Sequence, residues 1–134
     1  MSGVIREFLQ RVRANWRRYQ EQRRDAVMFE RAIVVTADEI GLHIDFPDGA
    51  RQTMAWQDIR TCAIETNDSG PWGADVWWVF EDGTRRVAFP QGATGEAEML
   101  RLLPVRFPGY DEMALISAMG CTDNARFVLW ERDA

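Results

Sequence analysis

Few residues of this chain are suited to acid–base chemistry. His43 is the only histidine, and the alternation around it places it on the strand face opposite Leu42 and Ile44. A single histidine without a serine or cysteine motif nearby is typical of a surface or packing residue, so a general base here is the less favoured interpretation. Asp68 and Asp75 lie seven residues apart and form the other candidate acid–base pair. Alternatively, Asp68 binds the backbone amides of its own loop.

The two cysteines, Cys62 and Cys121, do not form the framework of a disulfide-rich secreted protein, so a reducing cytoplasm is the predicted compartment. Cys62 shares a strand face with Ile64 and is predicted to be a small buried side chain. A zinc site needs several protein ligands, which one histidine and two cysteines 59 residues apart supply only with the help of a carboxylate. We therefore predict no metal. The glycines near 90–95 lack the lysine of a phosphate-binding loop, and we predict no cofactor either.

A tryptophan-rich segment is the most unusual part of the chain. Trp72 follows Gly70 and Pro71 in a predicted loop, and Trp77 and Trp78 begin the strand after it. Strand alternation sends Trp77 and Trp78 to opposite faces, so at least one is predicted to lie outside the core, where tryptophan is typical of a partner contact. The predicted partner-binding residues are Asp68, Trp72, Asp75, Trp77 and Trp78. Packing of these tryptophans under other elements is the alternative.

Length and composition indicate one folded domain. The chain has 134 residues, of which 46% are hydrophobic and 11% aromatic, enough for a core without metal or disulfide support and too apolar for disorder. No segment approaches the roughly 20 apolar residues of a membrane span. The arginine-dotted N-terminus lacks the apolar segment of a signal peptide.

The charge is divided unevenly. Up to Arg24 the chain holds seven arginines and two acids, a net charge of +5, whereas from Asp25 onward nine arginines face nineteen acids, a net charge of −10. This division predicts a basic arm over residues 1–25 and a single acidic domain over residues 26–134.

The arm has the hydrophobic period of an amphipathic helix that ends between Gln22 and Val27. Such a stripe needs an apolar surface, and three are considered: the body of the same chain, a second copy, or an anionic membrane. The acidic body attracts the basic face, which favours the first two. Nucleic acid is disfavoured, because the same acidic body repels phosphates. The residues predicted to make the oligomer or membrane contact are Ile5, Phe8, Leu9, Val12 and Trp16.

The body alternates like an antiparallel sheet protein. Two hairpins are predicted, with turns at 47–50 and 81–83. The predicted strands are 32–36, 40–46, 51–56, 59–66, 75–80, 84–89 and 126–131. In the second of these strands, Ile40 is expected to share the buried face with Leu42 and Ile44.

Two helices are predicted before the last strand. The first begins at Thr94 as its cap and ends before Pro104. The second covers 111–119, ends at a left-handed Gly120, and turns its stripe toward the core. That stripe consists of Leu115, Ile116 and Met119.

The segment from Thr66 to Trp78, read with Trp56-Gln-Asp58-Ile59 and Phe107-Pro-Gly-Tyr110, resembles a group of small bacterial proteins without established activity. The resemblance covers roughly residues 31–131 and includes Ala118-Met119 at the end of a helix. These proteins look like relatives of the pleckstrin-homology superfold, which implies an α+β fold with a bent, partly closed antiparallel sheet and a covering helix. The predicted strand at 126–131 departs from that pattern, since such domains end on their helix.

The leading functional hypothesis is a non-catalytic interaction module that binds a protein or peptide through the tryptophan-rich segment. One alternative is a small-molecule enzyme whose bent sheet forms an aromatic pocket, with Asp68, Asp75 or His43 as the acid–base group. The other is an adaptor at the membrane surface, held at the inner membrane by the basic arm.

Overall fold

The computed structural model of the protein describes residues 10, 24, 28–68 and 76–133. The backbone is helical at Gln10, at Arg24 and over 28–32. The helical residues 28–32 lie beyond the predicted end of the arm helix. Seven residues singled out in the sequence lie outside the described part, and the predictions about them stay predictions: Ile5, Phe8, Leu9, Val12, Trp16, Trp72 and Asp75.

The strands form two antiparallel sheets, one with three strands and one with four. The first has the order β1-β2-β3 and the second the order β6-β5-β4-β7. The strands are β1 Val34–Ala37, β2 Gly41–Asp45, β3 Arg51–Ala55, β4 Thr61–Thr66, β5 Val76–Glu81, β6 Arg86–Pro90 and β7 Ala125–Glu131. Both predicted hairpins and the C-terminal strand are confirmed. The single bent sheet is replaced by two sheets that do not close into a barrel.

Two helices lie between β6 and β7: α1 Glu96–Arg106 and α2 Glu112–Met119. A short 3-10 turn, Trp56–Asp58, joins the two sheets. The α+β class predicted from the sequence is confirmed. α1 packs against β1 of the three-stranded sheet, whereas α2 packs against β4 and β7 of the four-stranded sheet.

The core lies between the sheets and the helices. The side chains of β4 and β5 that face it include Ile64, Trp78 and Phe80, which are at most 2% exposed. The rings of Phe80 and Phe89 stack with centroids 6.0 Å apart. Cys62 is also fully buried, as predicted from its strand face.

Three predictions about element ends and faces are wrong. Ile40 is 72% exposed, because it lies in the turn before β2 and donates its N–H to the Asp38 side chain. Thr94 does not cap α1: its hydroxyl donates to the carbonyl of Arg31, and Gly95 occupies the cap position. Pro104 lies inside α1, which continues to Arg106.

Candidate interaction site

The second helix turns an apolar face to solvent. Met113 is 69%, Ile116 65% and Met119 40% exposed, whereas Ala118 is fully buried. The predicted inward stripe is therefore wrong for Ile116 and Met119, and of its members only Leu115 packs against the core. We call Met113, Ile116 and Met119 the apolar helix face.

The sequence of α2 explains why its orientation was missed. Its residues are apolar on nearly every side, a composition expected of a helix that is covered all round. Small side chains at Ala114 and Ala118 contribute to the face that packs on β4 and β7. Asp111 caps the helix by accepting a hydrogen bond from the N–H of Ala114, and Gly120 ends it in the right-handed region, with φ −96°, rather than the predicted left-handed one. The larger apolar side chains are left outside.

The N-terminal base of the tryptophan-rich segment is tied to the chain that follows α2. The hydroxyl of Thr66, at the end of β4, donates to the carbonyl of Asp123 over 2.6 Å. The backbone N–H of Asp68 donates to the side chain of Asn124 over 3.2 Å. Asp68 itself is exposed. Thr66 and Asp68, which precede the segment 69–75, therefore lie beside the chain that follows α2.

The C-terminal base of the same segment reaches α2 through Gln91. The backbone N–H of Gln91 donates to the carbonyl of Val76, the first residue of β5, over 2.8 Å. Its side-chain amide lies 3.3 Å from the sulfur of Met119. Asp68 and Val76, the described residues on either side of the segment 69–75, thus both lie near the end of α2 that carries Met119.

The two tryptophans of β5 lie on opposite sheet faces, as predicted. Trp78 is 2% exposed, and its indole N–H donates to the carboxylate of Glu96 over 2.8 Å. Its ring belongs to the core and is not offered to a partner. Trp77 is half-buried on the other face, where its cross-strand neighbour is Glu65.

Ion pairs cover the outer face of the four-stranded sheet. Arg86 on β6 reaches Glu65 on β4 over 2.6 Å, a diagonal that passes above Val79 on the intervening β5. Arg126 on β7 binds both Glu65 and Glu81. This explains why Val79 is 1% exposed although it points away from the core. Burial opposes ionisation of Glu65, but the hydrogen bonds from the two arginines outweigh it and keep the pKa of that carboxyl below its usual value.

Asp38, His43 and Thr53 form a second cluster of polar side chains, which the sequence analysis did not predict. The Nε2 of His43 lies 2.8 Å from the carboxylate of Asp38, and the Nδ1 of His43 lies 3.0 Å from the hydroxyl of Thr53. Hydrogen bonds from the N–H of Gly41 and from His43 lower the pKa of Asp38 to about 2. The order of acid, imidazole and hydroxyl resembles a nucleophile-activating arrangement. The cross-strand register of His43 and Thr53 was the available signal, since they are paired across β2 and β3.

The described residues do not bring the predicted acid–base candidates together. His43 lies on the three-stranded sheet, whereas Asp68 follows β4 of the other sheet and is bound to Asn124. A shallow crevice without an internal cavity lies beside α1. It is lined by Trp78, Phe80, Phe89, Glu96, Met99, Leu100 and Leu103. Within the described part, no group of three His, Cys, Asp or Glu side chains is placed to hold a metal.

Comparison with known proteins finds no family model, no curated protein and no solved structure that the chain matches. No helix in the described ranges has both the length and the apolarity needed to span a membrane. The contacts and exposure of the chain's own residues are therefore what indicates its function.

Proposed function

We propose that the protein is a non-catalytic interaction module that binds a protein or peptide. Its site combines the apolar helix face with residues 69–75, the part of the tryptophan-rich segment that holds Trp72. The single observation that supports this most directly is that the residues on both sides of that segment are bonded close to α2, Asp68 to Asn124 and Val76 to Gln91, which also contacts Met119. Exposed methionine and isoleucine beside an aromatic segment are typical of adaptable protein contacts.

The charges around the site indicate what kind of partner it takes. Four exposed carboxylates, from Asp68, Asp111, Glu112 and Asp123, flank α2 or the base of the segment. They favour a partner that presents apolar side chains together with arginine or lysine, because opposite charges speed encounter and fix the orientation of docking.

We also propose that the domain is a divergent relative of the pleckstrin-homology superfold. Successive antiparallel hairpins followed by helices packed on a sheet support this proposal. The strand β7 after the helices is the departure. This relationship bears on ancestry and not on activity, since one fold carries many functions.

The site is tested by substitutions that remove exposed apolar area without touching the core. We expect peptides selected from a displayed library against the full-length protein to lose about tenfold or more in affinity when Ile116→Ser is introduced, since burying an isoleucine contributes about 1.5–3 kcal/mol. Trp72→Ala should have a similar effect.

Ile40→Ser is the matched control, because Ile40 is equally large and 72% exposed but lies at the β1–β2 turn. Isothermal titration of one selected peptide against all four proteins gives the comparison. Affinity that is unchanged by Ile116→Ser and Trp72→Ala, or reduced as much by Ile40→Ser, would contradict the proposal.

A further inference from the structure

We propose that the N-terminal arm of the same chain, residues 4–22, lies across the apolar helix face and competes there with an external partner. The inference uses the α2 half of the surface proposed above. The covering of this face concerns the protein alone and holds or fails in the absence of any partner, whereas the competition rests on the proposed function.

The place where the arm joins the body supports this occupant. Glu30 packs so closely on Gly92 that a Cβ there would lie 2.7 Å from its carboxylate. Two residues further, the N–H of Thr94 donates to the carbonyl of Ile33 over 2.9 Å. Gln91, at the start of the same loop, contacts Met119. One short loop therefore touches both the root of the arm and the end of the apolar helix face.

Apolar side chains continue at this junction. Met28 is 63% and Phe29 49% exposed, although both precede the closely packed Glu30. Exposed apolar side chains thus occur just before Glu30, which contacts the loop 91–94, and at Met119, which contacts the same loop through Gln91.

The arm has the length and position to cover the apolar helix face. At about 1.5 Å per helical residue, residues 4–22 would extend about 28 Å, whereas the eight residues of α2 extend about 12 Å. Gln22 is only six residues before Met28, so the stripe is attached at a high effective concentration next to the face.

Charge complementarity favours the same arrangement. Residues 4–22 carry a net charge of +3, from five arginines and two acids, and Arg23 and Arg24 follow directly. Asp111, Glu112 and Asp123 are exposed at the two ends of α2. With the apolar stripe on α2, the arginines beside it would come close to these carboxylates, which adds a salt-dependent attraction.

The consequence is a module that limits its own availability. An external partner must displace the arm, so its apparent affinity is reduced by the fraction of molecules in which the face is covered. The arm would also keep Ile116 and its neighbours from unspecific association.

Methionine methyl groups provide a direct test in the full-length protein. Met113 and Met119 report on the apolar helix face, and Met54, which is 1% exposed, reports on the intact core. With methyl-labelled methionine and a soluble paramagnetic agent, we expect Leu9→Glu to cause a severalfold increase in the relaxation of the Met113 and Met119 methyls. Gln10→Glu, on the opposite side of the predicted helix, adds the same charge and should leave them as in the original protein.

Three outcomes would overturn the inference. The first is that Met113 and Met119 are relaxed equally in the original protein and in Leu9→Glu. The second is protection that grows with protein concentration along with a dimer mass in light scattering, which would assign the arm to a second copy. The third is protection that appears only with anionic vesicles, which would assign it to a membrane.

The inference and the proposed function fail separately. If Leu9→Glu leaves the methyls unchanged while Ile116→Ser still weakens peptide binding, only the inference is lost. If Leu9→Glu exposes the methyls while no selected peptide responds to Ile116→Ser, only the proposed function is lost.

Discussion

The side-chain amide of Gln91 lies 3.3 Å from the sulfur of Met119, while the backbone N–H of Gln91 donates to the carbonyl of Val76. A single residue therefore connects the strand that follows the tryptophan-rich segment with the end of α2. Val76, Gln91 and Met119 are distant in the sequence and meet only in the tertiary structure, in which α2 packs against β4 and β7. The arrangement of this surface leads to predictions about stability as well as binding.

The orientation of α2 predicts an unusual pattern of mutational costs. Because Ile116 is 65% exposed, Ile116→Ser should change the free energy of unfolding by less than about 0.5 kcal/mol when Leu9→Glu keeps the arm from covering it. Ala118 is fully buried, and Ala118→Leu should cost about 1–3 kcal/mol through overpacking. Urea denaturation of the two variants measures the difference. A larger loss for Ile116→Ser would mean that the helix faces the other way.

The glycine before α1 should tolerate no side chain. Gly95 has φ +95°, and an added Cβ would lie 2.1 Å from the carbonyl oxygen of Val35. Gly109 also has a positive φ, +79°, but has nothing within 4 Å of that position. Gly109→Ala should therefore cost about 1–2 kcal/mol from backbone strain alone. Gly95→Ala should cost clearly more, and equal losses in thermal or urea unfolding would show that β1 does not approach the loop this closely.

The two thiols should differ in reactivity. Cys62 is fully buried, and burial raises the pKa of its thiol to about 12, so almost no thiolate exists at neutral pH. Cys121 is partly exposed after α2. We expect iodoacetamide to modify only Cys121 in the folded protein and both thiols in urea, as read by intact mass. Labelling of the folded Cys121→Ser variant would contradict the burial of Cys62.

The Asp38 carboxyl should remain ionised to a lower pH than an ordinary aspartate. Its folded pKa of about 2 lies below the ordinary 3.8, because the N–H of Gly41 and the ring of His43 bind it. A lowered folded pKa contributes stability above the ordinary value, and that contribution is lost as the pH falls from 3.8 toward 2.

Replacing the imidazole separates these two causes. In His43→Val, the Asp38 pKa should rise only part of the way, since the Gly41 hydrogen bond remains. The Asp38 pKa is measured in the original protein and in His43→Val by following carboxyl carbon chemical shifts against pH. The Asp82 carboxyl, whose lowered pKa arises first from the backbone N–H groups of Arg85 and Thr84, serves as an internal control. An unchanged Asp38 pKa in His43→Val would show that His43 does not lower it.

Local patterns predicted the strands better than the helices. Alternation with β-branched residues located both hairpins and the last strand, because strand faces and turn residues are encoded within a few positions. Helix ends depended on distant groups. Thr94 is drawn to Arg31 instead of capping α1, and Pro104 is accommodated within the last turn.

The candidate site was predicted only in part. The prediction that Trp77 and Trp78 lie on opposite faces is confirmed. Trp78 is buried in the core, where Glu96 accepts the hydrogen bond from its indole N–H. The apolar helix face was missed. In α2 nearly every side is apolar, so periodicity does not distinguish the buried face from the exposed one.

The sequence by itself determined the division between a basic arm and an acidic body, the α+β class and the strand faces, because charge totals and the two-residue period are local properties of the chain. Only the tertiary structure decided which side of α2 is exposed, that Gln91 joins Val76 to Met119, and that His43 lies between Asp38 and Thr53. Each of these depends on which residues the packed sheets and helices bring into contact. A one-dimensional pattern does not specify such contacts when several faces of an element are equally apolar.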